Sequence, residues 1–379
     1  MTPKILVVFC TLILFLFTYP TSYSVATEND TEYLILEQVS QINTGEGTFY
    51  VEIKENIAYV SDLTYRGLKV INVSNPSEPE IISQYRDNNS YEIPHIFYIQ
   101  GDILYLGDHT DGLEIYNISD PLHLQKIGDW WIEGVTDDVI VVDDIAYTVS
   151  WDEGLRIVNV SDFSSPSLVA TYVTVNKTYP RVHLIKDYIY IYEIGLTGSK
   201  MKIINVSNPH TPTSVGEYMC EALAIETIGD IAYIAAGVQG FITLNISDPL
   251  NPIELGHYEP GGIIGGIDVQ GDLAFITDGD QKRLMVLNIS DPTKPTILQQ
   301  CGNFNIAFDV CVSDNYAYVA DFEGGLRIIQ IWGDQRNDNQ TDNPIVIGYD
   351  NALGILFLTL ITCGIIIILF TKNILKVYK

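Results

Sequence analysis

The sequence predicts an all-β fold, a seven-bladed β-propeller with one membrane-spanning helix behind it. Three observations carry that expectation. A strand of the type Ile-Ala-Tyr recurs with its aromatic at Tyr59, Tyr105, Tyr147, Tyr190, Tyr233, Phe275 and Tyr318, 42 to 46 residues apart. Each repeat has room for four short strands, the size of one propeller blade. The last repeat runs out after its third strand, while an unpartnered strand, Tyr33 to Ser40, stands ahead of the first.

Within a repeat, a first strand shows apolar residues two apart: Val51 and Ile53, Phe97 and Ile99, Val139 and Val141, and so on to Val310 and Val312. Period-two alternation is the mark of a strand with one face buried. Turn residues such as Gln100-Gly101-Asp102 and Ser313-Asp314-Asn315 join it to the aromatic strand as a hairpin. A third strand, Gly67 to Ile71 in the first repeat and Gly325 to Ile329 in the last, is rich in Leu, Ile and Val. In six repeats it closes on a turn such as Asn72-Val73-Ser74-Asn75-Pro76, where proline ends the ladder for lack of an N–H donor. A fourth strand then ends mostly in an aromatic: Tyr85, Trp130, Tyr172, Tyr218 or Tyr258. If the early strand fills the empty edge of the seventh blade, no long edge is left for aggregation. An open β-solenoid is the alternative, and it leaves the early strand unexplained.

The ends of the chain predict its topology. Lys4, the apolar stretch Ile5 to Phe17 and the small-residue site Ser24-Val25-Ala26 have the layout of a secretory signal peptide over residues 1–26. Residues 352–371 are twenty without a charge, enough to cross a bilayer as a helix. Lys372, Lys376 and Lys379 follow in the tail 372–379 and predict that it stays cytoplasmic, with residues 27–332 outside as the propeller and 333–351 as a linker.

The chain carries 48 acidic and 20 basic residues, and every acid lies between Glu28 and Asp350. So acidic a surface repels phosphate backbones, which excludes nucleic acid as a partner. It suits solvation, a basic partner or Ca²⁺. Three cysteines lie in the exterior segment, Cys220, Cys301 and Cys311. They allow at most one disulfide, with Cys301 and Cys311 the nearer pair, or three small buried apolar side chains.

The Gly-Leu-x-x-Ile/Val core, the Asn-x-Ser-Asn/Asp-Pro turn and the Tyr-ended strand together resemble the LVIVD-repeat family of bacterial and archaeal cell-surface propellers, over about residues 33–331. The resemblance implies fold and a surface address and carries over no catalytic residue. One departure is that Asn72, Asn117, Asn159, Asn205, Asn245 and Asn288 stand where the family typically has Asp, with Gln330 in the last repeat. Each of these six begins an Asn-x-Ser sequon, and Asn29, Asn88, Asn176 and Asn339 begin four more. They are candidates for N-glycosylation, and the six in the repeat serve equally well as turn caps.

A propeller has two faces. The one built by second-to-third and blade-to-blade loops is opposite both chain ends, so it is the expected binding surface. Its candidate ligand residues are Asp62, Tyr65, Asp108, Asp111, Trp151, Asp152, Glu153, Asp278, Asp280, Asp321, Phe322 and Glu323, with Tyr91, Trp130, Trp131, Tyr179 and Phe304 between blades. Carboxylates there bind cations or hydroxyls, aromatics bind sugars or protein, or both merely solvate and pack. Asp108 to Gly112 and Asp278-Gly279-Asp280 match Ca²⁺ loops only loosely, without the closing Glu. No metal set recurs in register, and no nucleophile elbow, zinc-helix or phosphate-loop motif is present.

The expected function is therefore a membrane-anchored surface module that binds an extracellular protein or glycan, with no cofactor and no assigned catalytic residue. The alternatives are a structural envelope protein and an extracellular hydrolase or lyase. Polar residues converging from several blades on the channel would favour chemistry, and an apolar plug would favour binding.

Overall fold

The computed structural model describes residues 34–333 apart from position 46 and positions 63–66, 86–93, 109–111, 132–135, 151–153, 175–176 and 196–197. The chain divides into two units, Met1–Asp334 and Gln335–Lys379; the second, and with it the expected membrane helix, lies outside the described residues, as does the expected signal peptide. Among the described residues no helix is long and apolar enough to cross a membrane.

The first strand is β1 (Ile35–Ile42), and seven groups then follow. Blade 1 is β2 (Thr48–Lys54), β3 (Ile57–Asp62), β4 (Gly67–Asn72) and β5 (Glu80–Tyr85). Blade 2 is β6 (Pro94–Gln100), β7 (Ile103–Asp108), β8 (Gly112–Asn117) and β9 (Gln125–Trp130). Blade 3 is β10 (Asp138–Val142), β11 (Ile145–Ser150), β12 (Gly154–Asn159) and β13 (Ser167–Tyr172). Blade 4 is β14 (Lys177–Ile185), β15 (Tyr188–Gly195), β16 (Gly198–Asn205) and β17 (Thr213–Tyr218). Blade 5 is β18 (Ala224–Ile228), β19 (Ile231–Ala235), β20 (Phe241–Asn245) and β21 (Ile253–Tyr258). Blade 6 is β22 (Ile264–Gln270), β23 (Leu273–Asp278), β24 (Arg283–Asn288) and β25 (Thr296–Gly302). Blade 7 supplies β26 (Asp309–Ser313), β27 (Tyr316–Ala320) and β28 (Leu326–Trp332).

Each group is one antiparallel four-stranded sheet, and the seventh takes β1 as its fourth strand, in the order β1-β28-β27-β26. The register runs from Ile35 opposite Trp332 to Ile42 opposite Leu326, with a bulge between Gln38 and Ser40. The chain therefore enters and leaves the sheet at the same end. Ser40 of β1 also donates its hydroxyl to the Pro76 carbonyl of blade 1 at 2.5 Å.

One apolar cluster fills the gap between each neighbouring pair of blades, including the last and first. There Tyr318, Leu326 and Ile328 pack on Val51, Val60 and Ile71. Burying each such side chain contributes about 1.5–3 kcal/mol, so the stabilisation sits between sheets rather than inside any one of them. A single blade has no core of its own.

Local chemistry sets the turns. In all seven inner hairpins the first turn residue has positive φ: Glu55, Gly101, Asp143, Lys186, Gly229, Gly271 and Asp314. At the third-to-fourth turns, Oδ1 of Asn72, Asn117, Asn159, Asn205, Asn245 and Asn288 accepts the N–H of the serine two residues on, at 2.9–3.0 Å. These turns dock on the preceding blade. Gly128 lies so close to the Phe163 carbonyl of blade 3 that an added Cβ would stand 1.6 Å from its oxygen, and Gly216 and Gly256 are approached likewise by Pro249 and Pro292.

Candidate functional site on the axis and the loop face

The innermost strand of each blade is a sheet edge, so its outward N–H groups need partners from elsewhere. Residues Val51, Phe97, Val139, Val182, Ile225, Ile267 and Val310 are all buried in the blade interfaces. By strand alternation the following positions, Glu52, Tyr98, Ile140, His183, Glu226, Asp268 and Cys311, turn the other way, and none of them is fully buried. They form a tier around the axis. Two residues earlier, nearer the blade-to-blade loops, a second tier holds Tyr50, Asp138, Arg181 and Asp309.

Carboxylates of these tiers satisfy the edge donors of the next blade. The N–H of Val51 donates to Asp309 Oδ2 at 3.2 Å, that of Val182 to Asp138 Oδ2 at 2.9 Å, and that of Val312 to Asp268 Oδ2 at 2.5 Å. Ile99 donates likewise to Glu52. Arg181, from the fourth blade, reaches the opposite side of the ring. Its Nη2 lies 3.8 Å from Asp309 Oδ1, and its guanidinium carbon stands 5.4 Å over the Tyr50 ring. Blade 4 faces the junction of blades 7 and 1, so the arm crosses the axis.

Burial dominates the electrostatics. It pushes the Glu52 carboxyl up to about 8, with Asp309 adding to the rise. Asp138 rises to about 7 and Asp309 to about 6, each held back by Arg181 and by backbone N–H donors. Asp268 and Glu226 are also raised, first by burial. Burial, with Arg181 second, lowers His183 to about 3, so its ring is neutral. Glu226 is enclosed by protein and yet exposed, as a side chain lining an open axis would be. Glu52 Oε2 and His183 Nε2 are buried atoms with no hydrogen-bond partner. Among the described residues no three His, Cys, Asp or Glu side chains are grouped as a metal would require.

The residues expected to bind at the loop face divide. Tyr65, Asp111, Trp151, Asp152 and Glu153 lie outside the described residues, as do Tyr91 and the sequon residues Asn29, Asn88, Asn176 and Asn339. Asp62, Asp108, Asp278 and Asp321 close the second strands of their blades and are inside the protein, at most 2% exposed. Asp278 accepts from Arg283 at 3.0 and 3.1 Å and from the Gln281 N–H, and Asp321 from Arg327 and the N–H groups of Asn305 and Ile306. Lys69 lies 3.3 Å from Asp62. Such carboxylates pin the loops, and their oxygens are not turned to solvent. Phe322 has φ 34 and exchanges backbone hydrogen bonds with Thr48, tying the seventh blade to the first. Asp280 and Glu323 alone of the described acids in that group are exposed.

Two further expectations are corrected. Cys301 and Cys311 are free thiols, as is Cys220. The first sits on the outermost strand of blade 6 and the second on the innermost strand of blade 7, so closeness in sequence is not closeness in space. Among the aromatics expected between blades, Phe304 is buried beneath Arg327, Trp130 packs half-buried at the end of β9, and Tyr179 falls within β14.

The loop face exposes Trp131, which the sequence reading named, and with it a set of aliphatic side chains that the reading missed. Trp131 (68%), Val173 (69%), Met219, Val238 (67%), Ile263 and Ile306 are all exposed. They come from the blade-to-blade loops between blades 2 and 7 and, for Val238, from the second-to-third loop of blade 5. Exposed aliphatic residues at loop tips were the available signal.

Seven sheets, one apolar layer between each neighbouring pair and a polar axis define a seven-bladed β-propeller. The LVIVD repeat model matches residues 48–87, 133–174, 181–220, 221–259, 261–302 and 306–334, and the chain belongs to that family. The second blade escapes the match although it has all four strands. No curated protein matches the chain significantly. Among solved structures, a crystal structure of the computationally designed Ika8 protein is similar with a TM-score of 0.57 at 9% identity, over 78% of this chain and 99% of that one. At that identity the likeness is one of fold.

Proposed function

We propose that this chain is a cell-surface recognition module, anchored by its C-terminal helix, that engages a basic protein surface through the loop face. The observation that carries the reading is the set of six exposed apolar side chains on that face. Exposed apolar groups rimmed by polar ones mark protein contact sites. Protein is favoured over glycan because sugar recognition leans on aromatic stacking, and Trp131 is the only one of the six with a ring. A basic partner is favoured by the formal net charge of −28. In this reading β1 is the latch that completes the ring, and both chain ends leave on the membrane side.

Polar residues from several blades do converge on the axis, which keeps the enzyme reading alive. Asp138 at about 7 and Glu52 at about 8 would be protonated general acids near neutrality. Binding is still preferred, because Asp138, Asp268 and Asp309 are committed to neighbouring strands and Arg181 crosses among them.

The test is to probe arrays of extracellular proteins and of glycans with the full chain in nanodiscs. A protein target that is lost with Trp131→Ser, Met219→Ser and Val238→Ser combined, and kept with Leu122→Ser and Leu250→Ser on the opposite face, supports the reading. Targets confined to glycans, or the reverse dependence on the two faces, overturn it.

A further inference from the structure

We propose that Asn72, Asn117, Asn159, Asn205, Asn245 and Asn288 are acceptor sites for N-linked glycans, which stand as a ring on the face where the chain enters and leaves. The proposal rests on the surface reading above, because the sugar donor is met on the export route. A sequon alone is a weak signal, since the asparagine caps its turn whether or not it is modified. The two roles use different atoms, however. The cap is made by Oδ1, which accepts the N–H of the serine two residues on at 2.9–3.0 Å. Glycan transfer uses Nδ2, and among the described residues no group bonds to that atom in any of the six, nor is it buried. Three asparagines that begin no acceptor sequon behave otherwise. Nδ2 of Asn75 donates to Glu78 at 3.2 Å, that of Asn251 to Asp248 at 2.9 Å and that of Asn305 to Glu323 at 2.7 Å.

The fold presents all six alike. Each closes the third strand of its blade opposite the first residue of the second, as Asn72 does with Ile57 and Asn288 with Leu273. The residue after it turns inward and is at most 6% exposed, whereas the serine beyond is exposed and the asparagine itself is half-buried at the rim. The inward residue is also pinned: the Val73 N–H bonds the Asn56 carbonyl at 2.9 Å, and Ile289 bonds Asp272 at 2.8 Å. Transfer therefore belongs to the chain before its blade closes, and the folded ring has only to leave room for the product. The seventh position is Gln330, which lies opposite Glu37 of β1 and begins no sequon. The ring of acceptors is thus open where the chain passes out.

In the transfer, Nδ2 bonds to the anomeric carbon of a lipid-linked oligosaccharide. The bond from that carbon to the donor's phosphate oxygen breaks and its electron pair leaves with the lipid phosphate, while one Nδ2 proton passes to a base of the transferase. Oδ1 and one N–H remain on the asparagine, so the cap outlives the reaction. Bulky, hydrated sugars then cover the face that carries the exposed Leu122 and Leu250, and leave the opposite loop face open to a partner.

Site-resolved mass mapping of the full chain, made in a secretory host that glycosylates Asn-x-Ser, tests the proposal. Peptide N-glycosidase in ¹⁸O-water converts each occupied asparagine to a labelled aspartate. A second arm carries a host leader in place of residues 1–26, so that its exterior part is exported whatever the native leader does. Label on a majority of the six in the second arm is expected, and label on half or fewer, or only on Asn29, Asn88, Asn176 or Asn339, overturns the proposal. Label in the second arm alone supports the acceptor sites and counts against the surface reading. Ser161→Ala keeps the backbone N–H of the cap and removes the hydroxyl of the sequon. It should lose the label at Asn159 alone and keep its melting temperature within about 2 °C; label retained there overturns transfer through the sequon.

Discussion

Arg181 of the fourth blade lies 3.8 Å from Asp309 of the seventh, across the axis of the ring. Asp309 in turn holds the first inner strand through the Val51 N–H, so one contact links three blades that are not neighbours in sequence. Removing one partner of such a pair leaves the other charge uncompensated in a poorly solvated place. Arg181→Met is therefore expected to destabilise the chain by roughly 3 kcal/mol at pH 8 in urea titrations. The loss should be smaller at pH 5, where the acids take up protons, and smaller again in the double variant with Asp309→Asn.

Stability is expected to fall as pH rises from about 5 to 8.5. Asp309, Asp138 and Glu52 titrate near 6, 7 and 8 in the folded chain. In the unfolded chain such groups titrate near 4. A carboxyl whose folded value is raised favours folding while it stays protonated and loses that contribution as pH climbs through the folded value. Melting temperature followed across this window checks the sign, and a steady rise toward pH 8.5 would contradict it.

Gly128 tests the docking between blades. Any side chain there meets the Phe163 carbonyl of the next blade, so Gly128→Ala is expected to cost about 1–3 kcal/mol through overpacking. Gly101→Ala has open space around it and suffers only its positive φ, about 1–2 kcal/mol. A difference scan of the two by chemical denaturation separates steric contact from backbone strain.

Glu55 is exposed and holds φ 56 in the first inner hairpin, where three other repeats with the same turn carry Gly101, Gly229 and Gly271. Glu55→Gly should raise stability by up to about 1 kcal/mol, the relief of a left-handed conformation less the added freedom of the unfolded glycine. A lowered melting temperature would show that the turn is not strained.

Much of the ring could be read from the residues, because the Ile-Ala-Tyr strand and the Asn-x-Ser-Pro-type turn recur in register and each has a local physical cause. The axis could not. Glu52, His183, Glu226 and Asp268 occupy one position of the repeat, yet they differ in type, and Glu52, His183 and Asp268 each stand between two apolar neighbours while Glu226 stands between Ile225 and Thr227. Only alignment of the inner strands places them on one tier. The buried aspartates erred in the other direction. Asp62, Asp278 and Asp321 sit at loop starts where acids are usually solvated, and a basic residue five to seven positions later was the clue that they are paired inside.

The faces, the axis and the latch all rest on β1 lying beside β28. The most direct measurement is disulfide trapping of Glu37→Cys with Gln330→Cys, residues opposite each other in the register. Their Cα atoms should be about 4.5–5.5 Å apart, within the reach of a disulfide. Mild oxidation should give an intramolecular link between the tryptic peptides holding positions 37 and 330, while Glu37→Cys with Ser313→Cys, two strands further in, should give none. Free thiols or only intermolecular dimers from the first pair would mean that the early strand is docked elsewhere.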